Sequence, residues 1–326
     1  MIDILNLEPT KVSRDLKSKY MLIYGKPKIG KTTFACSIPD ALILATEKGY
    51  NAMDGVLVQD IKTWADALIV LRQLRSAKAK EKFKSVVIDT FTILSELCEK
   101  YICSNEGVAT LGDIPWGGGY AMLGKELGDF IRGITMEGYG LVLIAHSKEA
   151  VEQVDENKTV TYYSPNLSKR AMGIANQAVD IIAFANEKWD KEGNSQRYLV
   201  CRQTPNITAG SRFPEFPNVV PLEYNAVVDA LVNSIEAQGR KQNIELTDEA
   251  PDLGEDLNYD ELMGKAKELY GKFVNPNKSV AENDKNKNKI LDKVEKTLGK
   301  RKKLSEITPN EVEALAVIID YMENME

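Results

Sequence analysis

The stretch Tyr20–Ala35 reads YMLIYGKPKIGKTTFA. An apolar run, Met21–Tyr24, ends at Gly25, and Gly30, Lys31 and Thr32 complete the spacing G-x-x-x-x-G-K-[ST]. A strand that breaks at glycine and re-forms as a helix points backbone N–H groups and the helix dipole at phosphate oxygens. The whole loop, Gly25, Lys26, Pro27, Lys28, Ile29, Gly30, Lys31, Thr32 and Thr33, is therefore expected to cradle a nucleoside triphosphate. Lys31 would reach the β and γ oxygens, and the Thr32 hydroxyl would ligate Mg²⁺.

The same site needs an acid at the end of a neighbouring apolar strand. KSVVIDTF supplies Val86, Val87 and Ile88, then Asp89, expected to hold Mg²⁺ directly or through water. ALILATEKG places Glu47 just beyond the next strand. Position alone does not separate a water-activating carboxylate from a surface glutamate there.

Working outward, the first ~235 residues alternate short β-branched runs with amphipathic stretches, which predicts an α/β fold with a mainly parallel sheet flanked by helices. Candidate strands are Met21–Tyr24, Ala41–Ala45, Ser85–Ile88, Leu141–Ala145, Asp180–Ala185 and Arg197–Cys201. Trp64, Leu68 and Leu71 share a predicted helix face, as do Met122, Leu123, Leu127, Phe130 and Ile131.

Residues 1–235 form the expected core. Residues 236–257 form an expected linker: from Asp248 to Glu261 there are seven acids and no base. Residues 258–326 carry three helical patterns, the last opened by Thr308, Pro309 and Glu311 as a capping box. Nine basic and two acidic residues lie between Lys285 and Lys303. They fit either a solvated helix face or a phosphate-tracking patch.

The chain has 326 residues and a formal net charge of −6, which argues against a uniformly basic nucleic-acid coat but leaves room for a local basic groove. No apolar run is long enough to span a bilayer, and the N-terminal stretch lacks a signal pattern. Cys36, Cys98, Cys103 and Cys201 form no C-x-x-C pair and read as reduced thiols, so a cytoplasmic setting without a membrane partner is expected.

In this order the motifs resemble the RecA-like ATPases, most of all the phage nucleotide-binding proteins that include Sak-type single-strand annealing recombinases. The resemblance covers about residues 15–235. It implies a RecA-like P-loop NTPase core, ATP and Mg²⁺ as cofactors, single-stranded DNA as partner, and a homo-oligomer in ring or filament form. In a phage it also implies the host cytoplasm.

The resemblance implies that Glu47, in ATEKG, activates water. It implies a DNA-facing loop at GDIPWGGGY, with Trp116 and Tyr120 as stacking platforms. A flexible turn around one buried tryptophan is the plainer alternative. It also places a γ-phosphate sensor at the end of LVLIAHSK, where His146, the chain's single histidine, stands in place of glutamine.

Ser147–Arg170 then corresponds to a mobile second DNA-facing loop, with Lys148, Lys158, Lys169 and Arg170 as phosphate contacts. Arg202 and Arg212 are candidates for a cation that acts on a neighbour's triphosphate. Two functions fit these residues. One is a DNA-stimulated ATPase that promotes annealing or strand exchange. The other is a nucleotide-switched module that loads or regulates a helicase, nuclease or single-strand-binding partner.

Overall fold

The computed structural model describes residues 12–13, 19–155, 158–242, 246–247 and 258–325. These residues divide into two compact units, with the division between Leu253 and Gly254.

The larger unit begins with β1 (Val12–Ser13), β2 (Tyr20–Gly25), α1 (Lys31–Cys36), β3 (Ala41–Ala45) and β4 (Leu57–Asp60). Next come α2 (Trp64–Leu74), α3 (Ala77–Lys82), β5 (Ser85–Asp89), α4 (Phe91–Glu106) and α5 (Gly118–Met136). Then follow β6 (Gly140–Asp155), β7 (Lys158–Pro165), α6 (Lys169–Ala178), β8 (Ile181–Trp189) and β9 (Ser195–Val200). It closes with β10 (Gly210–Ser211), β11 (Val219–Pro221), α7 (Tyr224–Gln242) and β12 (Leu246–Thr247).

The main sheet runs β11-β9-β8-β2-β6-β5-β3-β4, with β10 on β8 and β7 on β6. From β8 to β4 all pairings are parallel; β9, β10 and β11 are antiparallel additions. The central strands are covered on both faces, which explains their near-continuous apolar runs. Alternate residues serve opposite cores. Leu22, Tyr24, Val86 and Ile88 pack with α2, α4, α5 and α6, while Met21, Ile23 and Val87 pack with α1 and α7.

Several expectations change. Thr63 caps α2 with Asp66 in a capping box, but the buried stripe is Trp64, Ala67, Val70, Leu71 and Leu74; Leu68 is exposed. Helix α7 runs through residue 242 without a break at 235. The largest change concerns Ser147–Arg170, read from sequence as a loop. Strand β6 continues to Asp155 and pairs antiparallel with β7 from Ser147↔Pro165 onward, so most of the segment is a β-hairpin. On β6 the residues from Lys148 to Gln153 are all exposed, Val151 among them. A strand solvated on both sides has no apolar alternation to mark it.

The second unit contains α8 (Tyr259–Phe273), α9 (Val280–Leu298) and α10 (Val312–Glu323). Met263, Ala266, Leu269, Ile290, Val294, Leu315, Ile318, Ile319 and Met322 form its own core. The turn before α10 is closed as expected from TPNE, with Thr308 N–H donating to Glu311 Oε2 at 2.9 Å. The acidic segment 248–257 lies outside the described residues.

Candidate functional site

Parallel register brings Gly25, His146, Asp89 and Ala45 to one edge of the sheet. Gly25 pairs with His146, Ile144 with Asp89, and Asp89 with Ala45. Strand β6 lies between the glycine-loop strand and the aspartate strand, so His146 enters the site from its centre.

The loop after β2 needs its glycines for different reasons. A Cβ on Gly25 would sit 2.7 Å from the Ala185 carbonyl oxygen, closer than packing allows. Gly30 has φ 108°, a left-handed conformation that favours glycine, and starts α1. Between them Ile29 is buried against Phe34 and the α1–α7 face, which pins the loop, while Lys26, Pro27, Lys28 and Thr33 are exposed.

Lys31 is 6% exposed, and its Nζ donates to the Gly25 (2.9 Å) and Lys26 (2.7 Å) carbonyls. Burial lowers the Lys31 ammonium from its ordinary value, and the charges of Asp89 and Glu47 oppose that shift. A triphosphate would add negative charge in direct contact with this buried cation.

Thr32 Oγ1 donates to Asp89 Oδ2 at 2.6 Å. Asp89 is 5% exposed. Burial raises its carboxyl and Glu47 adds to the rise, while the Thr32 bond, Lys31 and His146 pull it back.

This pair fits Mg²⁺. Adjacent oxygens on an octahedral ion with bonds of 2.0–2.1 Å lie about 2.9 Å apart, and the ion needs only one or two protein ligands besides phosphate and water. Thr32 and Asp89 are the residues that would hold such an ion.

His146 Nε2 lies 3.2 Å from Glu47 Oε1. An ionised carboxylate only accepts, so Nε2 carries the proton and donates. Nδ1 is buried with no partner among the described residues. The histidine backbone is held as well: its N–H donates to Thr92 Oγ1 (3.3 Å), and its carbonyl accepts from Asn166 N–H (2.8 Å).

Asn166 lies between β7 and α6, so the site connects directly to the base of the hairpin. Lys26 of the phosphate loop also reaches Glu149 on the hairpin, at 3.5 Å. Tyr24 Oη on β2 donates to the Thr208 and Tyr163 carbonyls (2.8 and 3.1 Å).

The candidates further out behave differently from one another. Trp116 is 102% exposed with φ 62°, in a short turn before α5, and Tyr120 is 48% exposed. The tryptophan is therefore presented to solvent, not buried. Lys148, Lys169 and Arg170 are exposed, and Lys158 opens β7.

Arg202 and Arg212 are engaged within their own chain. Arg202 Nη2 donates to the Phe213 and Phe216 carbonyls at 2.8 and 3.2 Å and to that of Pro214. Arg212 donates to Asp180 (3.2 Å) and the Gln177 carbonyl (2.8 Å). Both arginines are thus held by groups of their own chain.

The arginine that sequence reasoning missed is Arg197 on β9. Its Nη1 lies 3.1 Å from where a Gly30 Cβ would be, and it has no ion-pair partner among the described residues. Trp189, 61% exposed at the end of β8, was also missed; β8 outruns β2 at the site edge by four residues. The strand pairing that brings Arg197 to the glycine loop is set by sheet order, which no local motif records.

The free cysteines match the sequence reading; burial pushes the Cys98 and Cys201 thiols up to about 12. Among the described residues, no helix is long and apolar enough to cross a membrane.

Two comparisons bear on this geometry. Across its full length the chain is similar to the SPbeta prophage-derived uncharacterized protein YorG of Bacillus subtilis (strain 168). The identity is 26% over 337 residues, covering 99% of this chain and 98% of the relative. Residues 17–213, which run from before the glycine loop to beyond β10, match the AAA domain family. With its phosphate loop, its Thr32–Asp89 pair and a sheet that carries both to one edge, the chain belongs to the AAA domain family of nucleotide-binding P-loop ATPases.

Proposed function

We propose that this ATPase uses ATP and Mg²⁺ to act on single-stranded DNA, promoting annealing or strand exchange as a homo-oligomer. The setting would be phage recombination in the cytoplasm of a bacterial host, in keeping with the prophage origin of its relative.

Lys31 neutralises the β and γ phosphates, and Thr32 and Asp89 hold the ion. Mg²⁺ offsets the charge that builds on the phosphate oxygens. Glu47 takes the proton of the attacking water. In the structure, that carboxylate is held by His146.

One observation carries the coupling to DNA: His146 bonds Glu47 through its ring and Asn166 through its carbonyl, three residues before Lys169. A change at the γ-phosphate that draws His146 away from Glu47 acts at once on the hairpin base and on the start of α6.

Lys169 and Arg170 open α6, where the helix dipole disfavours cations. Two exposed cations placed there suit an incoming phosphate chain better than they suit the helix. Trp116, Tyr120 and Trp189 offer faces on which bases can stack.

The second reading, a nucleotide-switched module that loads a partner, is favoured by the separate C-terminal unit with its own core. An ATPase assay with and without single-stranded DNA, beside sizing chromatography, separates the two. DNA stimulation of turnover and an oligomer that grows on DNA support the first reading. Turnover indifferent to DNA, with no DNA binding in either nucleotide state, removes it.

A further inference from the structure

The second unit contains a cleft of about 460 Å³ that the nucleotide chemistry does not use. Its floor is apolar: Tyr270 from α8, Ile290 and Leu291 from α9, and Leu304 from the turn before α10. Its rim carries Lys267, Lys287 and Lys303, and no acidic residue lines it. The size is in the range of small-ligand and side-chain pockets, about 300–1,000 Å³.

Many other basic residues of the unit are paired in place. Arg301 pairs with Asp292 and Glu295, Lys302 and Lys300 pair with Glu311, and Lys265 pairs with Glu323. Lys293 lies over the Tyr321 ring. Lys267, Lys287 and Lys303 are all exposed and have no ion-pair partner among the described residues. Three unpaired ammonium groups around an apolar floor specify a ligand that is anionic at its edge and apolar at its centre.

We infer that this cleft is a docking site for an acidic peptide segment of a partner protein that carries a large aliphatic or aromatic side chain. The side chain fills the cleft against Ile290, Leu291 and Leu304, and flanking carboxylates meet the three lysines. Charge complementarity supports this occupant, and the apolar floor argues for a peptide over a nucleic-acid backbone, whose phosphates would leave that floor uncovered.

The test is fluorescence anisotropy of a labelled peptide, Asp-Asp-Leu-Asp-Asp-Leu, titrated with the full chain. Two control peptides replace the leucines by alanine or the aspartates by serine. Saturable binding is expected, weakened at least about tenfold by Lys287→Ala combined with Lys303→Ala, and by either control peptide. Raising the salt concentration should weaken it further.

Both lysines are exposed, so the double variant tests the rim without disturbing the core; circular dichroism confirms its fold. Leu291→Asp tests the floor separately. Binding that survives loss of the leucines is bulk charge attraction and overturns the proposal. So does displacement of the peptide by an equal concentration of single-stranded oligonucleotide, which would assign the cleft to nucleic acid. Absence of saturable binding overturns it directly.

Discussion

Thr32 and Asp89 are 57 residues apart in the chain, yet the Thr32 hydroxyl donates to the Asp89 carboxylate at 2.6 Å. The bond joins the start of α1 to the end of β5 and holds a buried carboxylate whose proton affinity is raised chiefly by burial. With its folded-state value above the unfolded one, Asp89 binds protons more readily in the folded chain, so its contribution to stability falls as pH rises above the ordinary carboxylate range. Asp89→Asn should therefore raise the metal-free melting temperature near neutral pH, while Mg²⁺-dependent turnover collapses. Calorimetry beside an ATPase assay checks both halves.

Lys31→Ala should abolish tight ATP binding while the chain stays folded. The side chain contacts two loop carbonyls, which water can satisfy in its absence. Isothermal titration with ATP, and circular dichroism on the same sample, read the two outcomes. Wild-type turnover in the folded variant sinks the assignment of the site.

Glu47→Gln should keep ATP bound and slow hydrolysis by ~10²–10⁴-fold, the usual loss of a general base. The amide keeps the shape but cannot take a proton. A single-turnover measurement settles it; a change below about threefold would place the base elsewhere.

His146→Ala should leave nucleotide affinity near its original value and uncouple it from DNA. The variant removes the ring that holds Glu47 but leaves the backbone bond to Asn166. The ratio of turnover with and without single-stranded DNA is the measurement, and an unchanged ratio removes His146 from the coupling.

Arg197→Ala should weaken ATP binding without loss of fold, because an unpaired guanidinium beside Gly30 adds positive potential at the phosphate loop. Arg202→Ala should act instead on stability, since it strands three loop carbonyls. Melting curves beside nucleotide titrations distinguish the two arginines.

The contrast between those arginines shows what can be read from a sequence of this kind. Gly25, Gly30, Lys31, Thr32 and Asp89 were recognisable because phosphate chemistry demands fixed residue types at strand ends, and the apolar strands before them mark those ends. Which arginine is free depends on where loop carbonyls turn and which strands become neighbours. Arg197 comes to Gly30 through the order β9-β8-β2, and Arg202 is consumed by a turn more than ten residues away. The hairpin escaped notice for a different reason. Core strands announce themselves by what they bury, and the outer half of β6 buries almost nothing.

That outer half has a mechanical consequence. Strand β6 is one continuous element of 16 residues whose first part is clamped in the sheet between β2 and β5. From His146 to Asp155 it runs on the order of 30 Å at about 3.3 Å per residue. Its partner strand is tied on the way: Tyr163 exchanges backbone bonds with Asn206 and Thr208, and the Thr161 carbonyl accepts from Asn206 Nδ2. The hairpin is therefore held twice, at His146 through Asn166 and further out by the 206–208 segment. A shift at the histidine has a hydrogen-bonded path to that second tie with no flexible segment between.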